Sequence, residues 1–185
     1  MTEGWTATGI DGAVRRRLVV HGDDRGSFTE LWRASWTAPL GRQPFVQSNV
    51  SRSNAGVLRG MHFHLRQSDL WIVLAGRALV ALADLRDATE HPSWNPRTAL
   101  FELGADEAVV IPERVAHGFF ATEDLVLVYL VTNEFDGTDE HAFAWDDPLA
   151  AIMWPTDRPT LSAKDRANPS LRDAVRGLQA HRSGA

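Results

Sequence analysis

Residues 70–86 read LWIVLAGRALVALADLR, two β-rich apolar runs broken at Ala75-Gly76. A small-residue pair ending in glycine is a turn signal, so the chain reverses there between two short strands. EAVVIP (107–112) and LVLVYLVTNEF (125–135) are further short valine-rich runs, and RRRLVV (15–20) and FVQSNVS (45–51) read the same way. Short strands closely spaced by turns predict an all-β fold, an antiparallel sandwich or jelly-roll barrel. Helix is scarce. SFTELWRASW (27–36) fits a helical turn or a strand, and the clearest helix is SLRDAVRGLQAH, about residues 170–181, with Ser170 as its N-cap.

The length of 185 residues fits one domain spanning 1–185. No apolar run is long enough to cross a bilayer, and the first residues lack the basic-then-apolar order of a signal peptide. A cytoplasmic protein without a membrane partner is expected. Cysteine is absent, which removes disulfides, thiolate catalysis and sulfur-ligated metals. The formal charge of −5 argues against nucleic acid as a partner. Lys164 is the sole lysine and Tyr129 the sole tyrosine, so any chemistry needing an amine or a phenol has one candidate for each. No GxGxxG, P-loop, GxSxG or HExxH occurs.

The stretch LRGMHFHLRQSD (58–69) sets two histidines one residue apart, with an arginine before them and an aspartate after. It belongs to an ordered series: DDRGSFTEL, QSNVSRSNAGVLRGMHFH, ALADLRD, VIPERVAHGFF, VYLVTNEF, WDDPLAAIMWP and LSAKD. Together these motifs resemble the dTDP-4-dehydrorhamnose 3,5-epimerase family, over about residues 13–175. The resemblance implies a cupin jelly roll, an isomerase that works without a cofactor on a dTDP-4-keto-6-deoxy sugar, and a homodimer in which an N-terminal segment crosses to the partner. Such chemistry needs a base on one face of the carbon beside the ketone, an acid on the other, and donors for the enolate oxygen. By resemblance, His62 is the base, Asp165 its orienting carboxylate and Tyr129 the proton donor. Arg59 and His117 fall around the sugar and its ketone. Arg25, Phe28, Glu30, Gln47, Asn49, Glu140 and Lys164 match positions that contact the nucleotide sugar, and Phe135 stands where an aromatic ring stacks on the base.

Two departures stand out. The family carries a lysine before the strand that follows the histidine motif, where it helps to stabilise the enolate; here Asp69 occupies that point. His64 stands where the family commonly has a non-ligand residue. Gly56, His62, His64, Asp69 and Gly76 resemble the first metal-binding cupin motif, and PERVAH adds His117 in the manner of the second. Two other readings therefore remain beside the epimerase. One is a cupin enzyme holding a divalent transition metal on His62, His64, Asp69 and His117; a ligated His62 could not then act as a free base. The other is a non-catalytic sugar-nucleotide binder. The tryptophans, Trp71, Trp94, Trp145 and Trp154 among them, read as packing.

Overall fold

The structure is a computed structural model and describes residues 4–36, 43–89, 91 and 93–183. Its strands are β1 (Thr6–Ala7), β2 (Val14–Arg17), β3 (Val20–Asp23), β4 (Gly26–Thr29), β5 (Gln47–Ser53), β6 (Leu58–Phe63), β7 (Asp69–Ala75), β8 (Arg77–Asp84), β9 (Arg97–Gly104), β10 (Glu107–Ile111), β11 (Val115–Ala121), β12 (Leu125–Val131) and β13 (His141–Ala142). Two helices follow, α1 (Ala163–Arg166) and α2 (Leu171–Ser183). Six strands form one sheet in the order β1-β2-β10-β7-β12-β5, five form a second in the order β13-β6-β11-β8-β9, and β3-β4 is a separate hairpin. Neighbouring strands pair antiparallel throughout. This is the expected jelly-roll sandwich. The segment 27–36 combines both of its possible readings: its first residues close β4, and a single helical turn covers 34–36.

The long apolar runs are explained by burial on both faces of the sheets. Along β7, Trp71 and Val73 point into the core between the sheets, while Leu70 and Ile72 meet an outer layer that includes Trp5, Leu18 and Trp32. Along β8, Val80 and Leu82 face the same inner core, while Ala81 and Ala83 meet Phe143, Leu171 and Val175 on the other outer side. The N-terminal segment thus covers one sheet and the C-terminal segment the other. With both faces of a strand covered, apolar residues need not alternate with polar ones. The β7–β8 turn needs Gly76: its φ is +80°, and a Cβ there would lie 2.1 Å from the Asp124 carbonyl oxygen.

Helix α2 starts at a reciprocal cap. Ser170 Oγ accepts from the Asp173 N–H at 3.2 Å, and its hydroxyl donates to the Asp173 carboxylate at 2.6 Å. Its Leu171 and Val175 are fully buried against the five-stranded sheet. No described helix is long and apolar enough to cross a membrane.

Strand β6 departs from regular pairing. His117 of β11 sits opposite His62, yet Phe119, two residues on, sits opposite Arg59, three residues back. One extra residue is therefore absorbed in β6, a bulge. Gly60 occupies it at φ +138°, and a Cβ there would come within 2.6 Å of Gly118 Cα. Arg59 and His62 are three apart and would face opposite ways on a regular strand; the bulge brings both into the same cavity.

Candidate active site

A cavity of about 230 Å³ opens between the two sheets. Ser51, Asp69, Trp71, Leu127 and Tyr129 form the wall on the six-stranded sheet. Arg59, His62, His117 and Phe119 form the facing wall, and His64, Gln67 and Glu140 complete the lining. The inward residues recur at every second position, 69 and 71, 127 and 129, 117 and 119, as alternation on a strand requires.

His62 Nε2 lies 2.7 Å from Asp165 Oδ1. A carboxylate only accepts, so the neutral ring donates Nε2–H to it and keeps its lone pair on Nδ1. Asp165 is itself fixed. Ser162 caps α1 by accepting from the Asp165 N–H at 3.0 Å, and its hydroxyl donates to Asp165 Oδ2 at 2.7 Å. Burial raises the affinity of this carboxyl for a proton, but the hydrogen bonds from His62 and Ser162, the nearby His62 charge and the backbone at Gly60 outweigh it. The net pKa of Asp165 lies below the ordinary carboxyl value. Asp165 is therefore an ionised anchor that holds the imidazole in one tautomer.

Tyr129 is half-buried on the facing sheet, next to Trp71 on β7 and Asn49 on β5. Burial pushes its phenol above the usual value, and the negative charges of Asp69 and Glu140 add to that. It is a protonated donor at neutral pH. Arg59 is held at the cavity edge by Nε donating to Ser53 Oγ at 3.0 Å.

The remaining expected contacts divide by position. Gln47 donates to Asn49 Oδ1 at 3.0 Å and accepts from the Phe135 N–H at 3.0 Å, which ties β5 to the loop carrying Phe135. The Phe135 ring is 68% exposed beside a smaller recess that shares His64, Gln67 and Glu140 with the main cavity. Lys164 donates to Glu140 Oε2 at 3.1 Å. Arg25, Phe28 and Glu30 lie outside their own chain's cavity: Arg25 pairs with Asp23 in the β3–β4 turn, Phe28 is 64% exposed and Glu30 pairs with Arg33.

The four-residue metal set read from spacing is divided in space. His62 is turned to Asp165, while His64, Asp69 and His117 each bring a ligand-type atom within 4.8 Å of the others. Burial raises the Asp69 carboxyl, with the His64 charge and the Gln67 and Trp71 hydrogen bonds partly opposing it. Burial, joined by the charges of His64 and His62, lowers His117 well below the ordinary imidazole value. Ser51, Gln67, Phe119 and Leu127 line the cavity without being singled out by the sequence, and two residues that hold the site together escaped it as well. Trp71, assigned to packing, donates Nε1–H to Asp69 Oδ2 at 3.2 Å on the cavity wall; an alternating pattern through 69 and 71 was its only signal. Ser162 is marked by the S-x-x-D cap spacing of LSAKD.

Residues 7–173 match the sequence profile of the family described as dTDP-4-dehydrorhamnose 3,5-epimerase. The chain belongs to this family. The dTDP-4-dehydrorhamnose 3,5-epimerase of Streptomyces griseus is 34% identical over 174 residues, covering 90% of this chain and 86% of that protein. NovW, a 4-keto-6-deoxy sugar epimerase from the novobiocin biosynthetic gene cluster of Streptomyces spheroides, superposes with a TM-score of 0.83 at 29% identity, over 94% of this chain and 90% of that one. ChmJ, a 3′-monoepimerase from Streptomyces bikiniensis solved with dTDP-quinovose, gives 0.79 at 30% identity, over 93% and 92%. These relatives of the epimerase family support isomerase chemistry, and they support neither a metal-dependent enzyme of another class nor a non-catalytic binder. In this epimerase Asp69 is buried on the cavity wall.

Proposed function

We propose that the chain inverts carbon C3, C5 or both of a dTDP-4-keto-6-deoxyhexose. The observation that carries this reading is that His62 and Tyr129 stand on opposing sheets across one cavity. A sugar ring between them presents one face to the base and the other to the donor. His62 Nδ1 takes the proton from the carbon beside the ketone. The C–H electron pair forms the enolate double bond, and the carbonyl π pair moves to oxygen. Tyr129 O–H then protonates the same carbon from the other face, and the ketone re-forms. Arg59 is placed to meet the negative charge of the enolate or the diphosphate.

Proton NMR of dTDP-4-keto-6-deoxyglucose incubated with the protein in D2O tests this. Deuterium enters at C3, C5 or both, and the carbons that exchange distinguish a 3,5-epimerase from a monoepimerase. Absence of exchange with dTDP-4-keto sugars of either C3 configuration would overturn the reading.

We also propose a homodimer joined through the β3–β4 hairpin. That hairpin pairs with neither large sheet and exposes Val20 and Phe28, with Val19 just before it. Contact with a second copy would cover these apolar residues and give Arg25, Phe28 and Glu30 a cavity to reach. Light scattering on the purified chain should give twice the monomer mass, and Phe28→Asp should shift it to the monomer. A monomeric wild type rejects the proposal.

A further inference from the structure

Asp69 is 3% exposed, and among the described residues it pairs with no arginine or lysine. Its Oδ1 accepts from the Gln67 amide at 2.8 Å and its Oδ2 from the Trp71 indole at 3.2 Å, both neutral donors. A buried carboxylate held in place by neutral donors still lacks a compensating charge, and buried charges are paired or coordinate metals. Beside it stand His64, just after β6, and His117 of β11, 6% and 5% exposed. One nitrogen of each ring and one oxygen of Asp69 all lie within 4.8 Å of one another.

The tautomers of both histidines are set from behind. His64 Nδ1 lies 2.6 Å from the Asp139 carbonyl oxygen, and His117 Nδ1 lies 3.1 Å from that of Val115. A carbonyl only accepts, so each Nδ1 carries its hydrogen and each neutral ring keeps its lone pair on Nε2. His117 Nε2 is 3.7 Å from Asp69 Oδ2, with no hydrogen to share between them if the carboxyl is ionised. An imidazole that gives its outer N–H to a backbone carbonyl and turns its other nitrogen to a carboxylate has the arrangement of a metal ligand with its supporting hydrogen bond. Tetrahedral zinc, with bonds of about 2.0–2.2 Å, spaces its ligand atoms by about 3.4 Å, close to the His117–Asp69 separation.

We propose that His64, Asp69 and His117 bind one divalent first-row transition-metal ion, zinc by donor type, with its fourth position open to the cavity. Two neutral imidazoles and one carboxylate leave a divalent ion with one net positive charge. That adds a cationic centre to a lining in which Arg59 is the sole arginine or lysine. It also turns Asp69 from a charge opposing an enolate into a ligand. His62 stays outside the set because it is engaged with Asp165, so metal binding and the base coexist. The ion's presence does not depend on the epimerase reading, because the site is defined by its ligands alone.

The experiment uses the full chain, stripped with a chelator, dialysed, and titrated with zinc and separately with cobalt(II). Wild type should retain one ion per chain after dialysis, gain thermal stability with zinc, and give the visible d–d bands of low-coordinate cobalt(II). Asp69→Asn preserves shape and should weaken zinc binding by about 100-fold or more, beyond the ~10–100-fold that losing an outer hydrogen bond costs. His62→Gln should bind as tightly as wild type; equal loss in this variant would replace the proposed set with one that includes His62 and so overturn it. Folded wild type that retains no stoichiometric metal, or Asp69→Asn that binds zinc unchanged, overturns it too. Exchange at C3 or C5 is read separately, so failure of the epimerase reading leaves the metal result standing.

Discussion

His62→Gln should lower the rate of deuterium entry at the epimerised carbon by about 10²–10⁴-fold, the range that a positioned general base contributes. Glutamine can still donate an amide N–H towards Asp165, so the carboxylate keeps a partner and the fold has no new unpaired buried charge. What disappears is the basic Nδ1. The loss should therefore fall on kcat, with little change in KM, because the side chain contributes a proton transfer and not a binding contact. Circular dichroism checks that the variant is folded. Exchange within a few fold of wild type would remove His62 from the base role.

Tyr129→Phe separates the two half-reactions. The base is untouched, so deuterium should still exchange at the carbon that His62 serves, returned from the same side. Inversion should fall by about 10²–10⁴-fold, since the facing wall has lost its proton donor. The readout is the ratio of exchanged starting epimer to inverted product in one NMR time course. A ratio like that of wild type would show that the second proton comes from elsewhere. Phenylalanine keeps the ring that packs against the inter-sheet core, so a packing role alone predicts no change in this ratio.

The strands that face apolar layers on both sides were legible in the sequence, because uninterrupted runs such as LVALA have few other soluble uses. Strand β9 was not read: it lies at the edge of its sheet, and its polar and half-exposed residues blur the pattern. Strand β11 carries His117 and Gly118 where an apolar run would be expected, which breaks the pattern. The site was legible in its composition through family resemblance, while period-two alternation alone would have separated Arg59 from His62. Only the bulge at Gly60 reconciles a spacing of three with one shared face. The metal-like spacing was visible too, but spacing could not tell that His62 turns to a carboxylate arriving from α1, more than a hundred positions later in the chain.

In the proposed mechanism, His62 as base and Tyr129 as donor on separate walls leave the protein changed after each turnover. His62 ends with one proton more than it began with, and Tyr129 with one fewer. The forward catalyst is imidazole with phenol; the state left behind is imidazolium with phenolate, which is the form competent for the reverse reaction. The two residues cannot trade the proton while the sugar ring lies between them, so recovery runs through water once the product has gone. Burial pushes the Tyr129 phenol above its usual value, so the phenolate left behind takes a proton back readily. Neither state favours one epimer at equilibrium. The ratio of products is set by the sugars themselves and by whichever reaction consumes one of them.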